Sequence, residues 1–340
     1  MNVKLIPLFF AGVFLSCSAP EHSREEWVLG TFCRIDLFEH GTKARYDMLF
    51  DELFRLDKIM NASRADSELT LINQNAGVKA VGVSGDLQAV LERALYFAKI
   101  STSGPLSKAA FDPTVGPLVK LWGIGSAQER VPAQEEINAV LPLIQWQNVL
   151  VTDGECFLNP GMALDLGAIA KGYAADRLVA LLQNEVPRAL IDLGGNIYVY
   201  DKTPEKPRKI GIQNPFDIRG SALGVLLVEN ASVVTSGIYE RYFEEDGVRY
   251  HHIFDTASGY PAATDLLSVT IIAESSMDAD ALSTTALVLG YEEGSRLVRE
   301  HNAEAVFVFA DKSIRMTDGA RFSLIDESYF IPASSMVNTK

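Results

Sequence analysis

Helical and strand periodicities do not alternate regularly along this chain, and that ordering restricts its fold more than any other feature. The first hundred residues carry two amphipathic helices. In "KARYDMLFDELFRLDKIM" (43–60), Leu49, Leu53 and Leu56 recur at helical spacing, with Phe50 and Phe54 beside them. In "SGDLQAVLERALYFAKI" (84–100), Leu87, Val90, Leu91, Ala94, Leu95 and Ala98 form one stripe. A strand over 26–39, "EWVLGTFCRIDLFE", precedes them. Pro113 and Pro117 break "AAFDPTVGPLVKLWGIG" into a shaped loop around short pieces of structure. The back half mixes a helix near 170–183, strands at 188–195, 208–213, 222–230, 248–254, 267–273 and 303–310, and helices at 278–290 and 291–300. Without βαβ regularity this predicts an α+β fold, mixed sheets packed with helices. No Pro/Gly/Ser-rich linker and no solenoid-length repeat divides the mature chain. The expectation is one compact unit of two joined lobes. At 340 residues and 48% hydrophobic, the chain has ample material for its core.

The N-terminus reads differently from the rest. Lys4 is followed by an apolar run over Leu5–Phe14 that is too short for a bilayer span, so it reads as a signal-peptide core. Phe14-Leu15-Ser16-Cys17 resembles the lipobox of bacterial lipoproteins, although Phe14 stands where Leu is usual. The expected divisions are a signal peptide over 1–16, a lipidated Cys17 with a polar tether over 17–26, a domain over 27–332, and a tail over 333–340. An ordinary signal peptide with a chance Cys is the alternative. Cys33 and Cys156 fit no metal-ligand spacing; two small buried hydrophobes are expected there.

The formal charge of -14 argues against a nucleic-acid partner, whose usual footprint is a basic face. It also opposes any phosphate-bearing substrate, unless local cations or a metal ion intervene. "GIGSA" (123–127) lacks the third glycine and the preceding strand of a dinucleotide fingerprint. No Walker A sequence, nucleophile elbow or CxxC is present.

Four stretches can carry chemistry. In "LDLGAIAKGYAADRL" (164–178), Gly167, Ala168 and Ala170 leave backbone accessible at a helix start, with Asp165 and Lys171 on either side. Tight packing of a helix start explains the same residues equally well. In "MDADALSTTALVLG", Asp280 and Thr284 share one helix face and offer hard oxygens of the kind Mg²⁺ takes; an acidic residue near a helix N-terminus also simply favours the dipole. His251 and His252 are adjacent in an apparent strand, so at most one faces a given site. Gly194-Gly195 ends "LIDLGG" with backbone that could lie against a flat ligand, or with a plain tight turn.

Taken in order, "VLGTFCRI", "MNASRADSELTLIN", "AAFDPTVGPLVKLWG", "LDLGAIAKGYAADRL", "LIDLGGNIYVY", "TSGIYERYF", "RYHHIFDTASGYP" and "DADALSTTALVLG" resemble the signature blocks of the ApbE family, the bacterial FAD:protein FMN transferases. The resemblance spans roughly residues 27–320. It implies an ApbE-like fold that uses FAD as substrate and Mg²⁺ as cofactor, releases AMP, and joins FMN by a phosphoester to a Thr or Ser of an acceptor protein. It implies metal ligation by Asp280, Thr284 and the Ala168 carbonyl. Leu29, Ser63, Ala110, Phe111, Asp112, Asp165, Lys171 and Phe254 take flavin-nucleotide positions, and His252 takes that of the proposed base. The implied acceptors are flavoprotein subunits of membrane redox complexes of the Rnf or sodium-pumping NADH:quinone oxidoreductase type. With the lipobox, it implies a site at the periplasmic face of the inner membrane, anchored through Cys17. Three departures stand out: Leu29 for a common Met, Thr256 for a common Pro, and Ser63 where some members carry a flavin-stacking Tyr. Ser63 keeps open a second reading, a Mg²⁺-dependent FAD pyrophosphatase. A non-catalytic flavin-binding lipoprotein is a third.

Overall fold

A computed structural model of the protein describes residues 22–103, 108–183 and 185–332. The expected signal peptide, Cys17 and the tail 333–340 lie outside the described residues. An eight-stranded antiparallel sheet organises the rest. Its strands are β1 (Ser23–Val28), β2 (Thr31–Leu37), β3 (Arg188–Leu193), β4 (Asn196–Asp201), β5 (Ala231–Gly237), β6 (Leu266–Ala273), β7 (Glu304–Phe309) and β8 (Ile314–Met316). Their order across the sheet is their order along the chain, and every neighbouring pair is antiparallel. All the helices are inserted between successive strands. Between β2 and β3 come α1 (Lys43–Met60), α2 (Glu68–Gln74), α3 (Gly85–Ile100), α4 (Gly116–Trp122), α5 (Gln134–Val140) and α6 (Ala170–Leu182). Between β6 and β7 lies α7 (Ser276–Glu300).

Strand alternation decides which face meets what. On β2, Cys33, Ile35 and Leu37 are fully buried while Phe32 and Arg34 point outward. The buried face packs with Leu49, Leu53, Phe97, Leu178 and Leu282 of the helices in one large core. The opposite face is covered by a hairpin, Arg208–Gln213 with Ala222–Val228, whose Ile210, Ile212 and Leu226 meet Val199, Val233 and Val306. A smaller cluster of Leu118, Trp122, Ile137, Ile144 and Phe254 gives the α4–α5 segment its own core beside the main one.

The structure revises two boundaries. The strand expected over 26–39 is a hairpin, with Val28 facing Thr31 across a turn at Leu29 (φ 56°) and Gly30 (φ 70°). Two consecutive left-handed residues are what a two-residue hairpin turn needs, but a leucine in the first position gives no turn signal. The hairpin also draws Ser23–Glu26 out of the expected tether and pairs them with Cys33–Asp36. The two helices expected at 278–290 and 291–300 are present: the helical run Ser276–Glu300 breaks at Gly290 (φ 78°), where they divide as expected. Cys33 and Cys156 are buried and unpaired, and burial pushes their thiols up to about 12 and about 11.

Candidate active site

A cavity of about 750 Å³ opens where the Leu29–Gly30 turn, the Gly194–Gly195 turn between β3 and β4, and the C-terminal end of β5 meet. That size suits a small-molecule site. Leu29, Ser63, Ala110, Phe111, Asp112, Asp165, Ala168, Lys171, His252, Phe254, Asp280 and Thr284 all line it. Chain segments far apart in sequence therefore converge on one cleft.

The stretch at 164–171 is held in place before α6 begins. The Asn73 amide of α2 grips Leu164 at both backbone groups, donating to its carbonyl at 2.9 Å and accepting its N–H at 2.7 Å. The Asp165 N–H donates to the Pro113 carbonyl at 2.8 Å, which ties the proline-broken loop to the same stretch. Asp165 Oδ1 accepts the Gly167 N–H at 2.8 Å. Burial raises the Asp165 carboxyl above its ordinary range, against the pull of that hydrogen bond and of Arg241 and Lys171.

The first turn of α6 crosses α7 at Gly172. A Cβ there would stand 2.2 Å from the Ser276 carbonyl oxygen, so only glycine permits the crossing. The closeness lets the Gly172 N–H donate to Asp280 Oδ2 at 2.9 Å. In a regular helix this N–H would go to the Ala168 carbonyl. Among the described residues no such bond to the Ala168 carbonyl forms, and Ala168 lines the cleft.

Asp280 itself is 4% exposed. Its Oδ1 has the Lys171 ammonium at 3.8 Å as its ion-pair neighbour. Thr284, one turn on, is half-buried on the same helix face. Ala168, Asp280 and Thr284 thus line one cleft and can offer it hard oxygens from a carbonyl, a carboxylate and a hydroxyl. That donor set fits a Mg²⁺ ion whose remaining positions go to water and phosphate.

His252 follows the hairpin strand Val248–His251. Its backbone N–H and its Nδ1 both meet the Arg241 carbonyl, at 3.2 and 3.0 Å. A carbonyl only accepts, so Nδ1 carries the ring proton and Nε2 is the unprotonated nitrogen. Burial holds the imidazole down to about 4, which keeps it neutral at neutral pH. His251 turns the other way: it is buried, with Nε2 at 3.2 Å from the Ala262 carbonyl and Nδ1 accepting the Ile253 N–H at 3.3 Å. Strand alternation separates the two as expected.

The remaining positions divide by what they offer. Phe111 and Phe254 are buried aromatic walls. Asp112 uses both carboxylate oxygens internally: Oδ1 accepts the Thr114 N–H and hydroxyl at 2.9 and 2.6 Å, and Oδ2 the Trp146 N–H at 3.4 Å. It presents backbone and loop shape to the cleft rather than a free charge. Thr256, at the position where Pro is common, donates its hydroxyl to the Ala109 carbonyl at 2.6 Å, fastening its turn beside Ala110. Ser63 is exposed at the rim, where its N–H donates to Asn61 Oδ1 at 2.8 Å. Two lining residues, Arg241 and Ser236, escaped the reading of individual side chains. Both lie in the "TSGIYERYF" block, where nothing local distinguishes them from a strand and its turn.

Comparison with known proteins identifies the family of the chain. The ApbE family model matches residues 29–307. The FAD:protein FMN transferase of Treponema pallidum (strain Nichols) is 40% identical over 322 residues, covering 88% of this chain and 87% of that one. The FAD:protein FMN transferase of Klebsiella pneumoniae (strain 342) is 38% identical over 309 residues, covering 89% and 94%. Among solved structures, the ApbE protein of Thermotoga maritima superposes with a TM-score of 0.77 at 31% identity, covering 87% of this chain and 96% of that one. The flavin transferase ApbE of Vibrio cholerae gives 0.75 at 27% identity, covering 90% and 97%.

Proposed function

The chain belongs to the ApbE family, and from that premise we propose that it is a Mg²⁺-dependent FAD:protein FMN transferase. One observation carries the reading: Ala168, Asp280 and Thr284, with Lys171, line the same cleft as His252, whose Nδ1 is tied to the Arg241 carbonyl. A bound Mg²⁺ would neutralise pyrophosphate charge that a chain of net charge -14 otherwise repels. Lys171 adds a positive charge on the same side. Phe111 and Phe254 wall the cleft against water, and positioning supplies much of the rest. The acceptor hydroxyl attacks the FMN-side phosphorus. The bond from that phosphorus to the bridging oxygen breaks, and AMP leaves with that oxygen. His252 Nε2 takes the hydroxyl proton, which a weak Thr or Ser nucleophile requires.

The test is incubation with FAD and Mg²⁺, with and without an acceptor-subunit fragment. AMP release that needs the fragment, together with a fluorescent fragment on a denaturing gel, is the expected result. AMP and free FMN without acceptor would mean FAD pyrophosphatase activity, a second reading favoured by the exposed, small Ser63 at the rim. Tight but uncleaved FAD would mean a binding protein. We further propose that the acceptor belongs to a membrane redox complex of the Rnf or sodium-pumping NADH:quinone oxidoreductase type. Lipidation at Cys17 would hold the enzyme at the periplasmic face of the inner membrane. The lipobox-like Phe14–Cys17 supports the anchor.

A further inference from the structure

A threonine hydroxyl is both donor and acceptor, so a Thr serves a cation only when its proton is directed elsewhere. Around Thr284 the hydrogen bonds settle that direction. Ser283 is fully buried, and its hydroxyl lies 2.8 Å from the Asp280 carbonyl, which can only accept. Ser283 therefore donates there. Ser236 Oγ of β5 lies 2.8 Å from Ser283 Oγ and 3.0 Å from Thr284 Oγ1. With the Ser283 proton committed, Ser236 must be the donor to Ser283. With the Ser236 proton committed in turn, Thr284 must be the donor to Ser236.

The three hydroxyls thus run one way, from Thr284 through Ser236 and Ser283 to the Asp280 carbonyl. Thr284 Oγ1 is left with lone pairs for the cleft. We propose that Ser236 is a positioning residue that polarises Thr284 for cation binding, with Ser283 as the hidden end of the same relay. Asp280 then acts twice, through Oδ1 at the cleft and through its carbonyl as the relay's sink. The inference rests on reading Thr284 as a cation ligand. Partners that orient ligands typically change metal affinity about 10- to 100-fold when removed.

The experiment titrates Mn²⁺ by electron paramagnetic resonance into the purified protein, with ADP as a pyrophosphate that carries no flavin. Thr284→Ala is expected to weaken Mn²⁺ binding. Ser236→Ala should weaken it about tenfold, with an unchanged unfolding midpoint, and Ser236→Thr, which keeps a hydroxyl on the strand, should restore most of the loss. Adding Ser236→Ala to Thr284→Ala should cost nothing further, because the relay has no other route to the ion. Ser283→Ala, at a residue outside the cleft lining, should also weaken binding because it releases the Ser236 proton toward Thr284; this variant serves if Ser236→Ala does not fold. If Thr284→Ala weakens Mn²⁺ binding but neither serine variant does, or if the double variant loses the product of the two single losses, the relay is overturned. If Thr284→Ala leaves binding unchanged, the cation site itself is wrong and the relay falls with it.

Discussion

Asp280 gives one carboxylate oxygen to the Gly172 N–H and keeps the other for the cleft, so its charge and its shape can be separated. Asp280→Asn keeps the shape and removes the charge. FAD cleavage at ordinary Mg²⁺, read as AMP release, should fall by about two orders of magnitude or more; near-normal turnover would remove Asp280 from the site. At His252 the prediction is a pH profile. Its folded value of about 4 lies below the ordinary 6.5, so the imidazole stays unprotonated from neutral pH down to about pH 5. A step that uses Nε2 as base should therefore hold its rate across that range and lose it as pH falls through about 4. A limb near 6.5 would mean that the ring is solvated, or that another group is the base. The sign for stability follows. Between 6.5 and 4 the unfolded chain binds this proton and the folded one does not, so acidification through that window destabilises the fold.

At the scale of elements the site depends on the crossing of α6 over α7. Asp176 of α6 fixes it from one side, accepting the Ser276 and Met277 N–H groups at 2.8 and 3.0 Å and the Ser275 hydroxyl at 3.1 Å. Gly172 fixes it from the other. Gly172→Ala drives a Cβ into backbone rather than into a flexible side chain. It should cost about 1–3 kcal/mol in urea unfolding and weaken Mn²⁺ binding as well, because Asp280 loses its alignment. A stable variant with intact metal binding would show that the helices can part without consequence. These contacts explain what was legible in the sequence. Helices over 43–60 and 84–100 announce themselves because each burial stripe repeats within one element. The β1–β2 turn did not, because Leu29 adopts φ 56° with no residue type to signal it. Gly172 reads as one more small residue until Ser276 is known to lie against it. The serine relay joins a strand to a helix through sheet register, which no local pattern encodes. The Asp280/Thr284 spacing and the His251/His252 alternation were legible because helix and strand periods alone place them.

Over the whole molecule, β1 sets how the cleft stands relative to the proposed anchor. β1 runs from Ser23 to Val28 and enters the Leu29–Gly30 turn that lines the cleft. At about 3.4 Å per residue, the start of β1 lies about 17 Å from the cleft end of the sheet. Whatever precedes Ser23 therefore joins the domain at the end remote from the chemistry. If Cys17 is lipidated, the few residues between it and β1 would reach about 20 Å when extended. That would hold the domain close to the bilayer with its catalytic end beyond the attachment point, facing acceptor segments that project from neighbouring complexes. Cys17→Ser should then move the protein from the membrane fraction to the soluble fraction. AMP release with a soluble acceptor fragment should stay within about twofold, because the cleft is lined, among the described residues, from Trp27 onward. Flavinylation of a membrane-embedded acceptor should slow, because the tether's contribution to local concentration is lost. Retention in the membrane fraction would sink the lipid anchor. A soluble, folded variant that no longer cleaves FAD would show that the N-terminal segment takes part in the site, and the separation of anchor from chemistry along β1 would have to be abandoned.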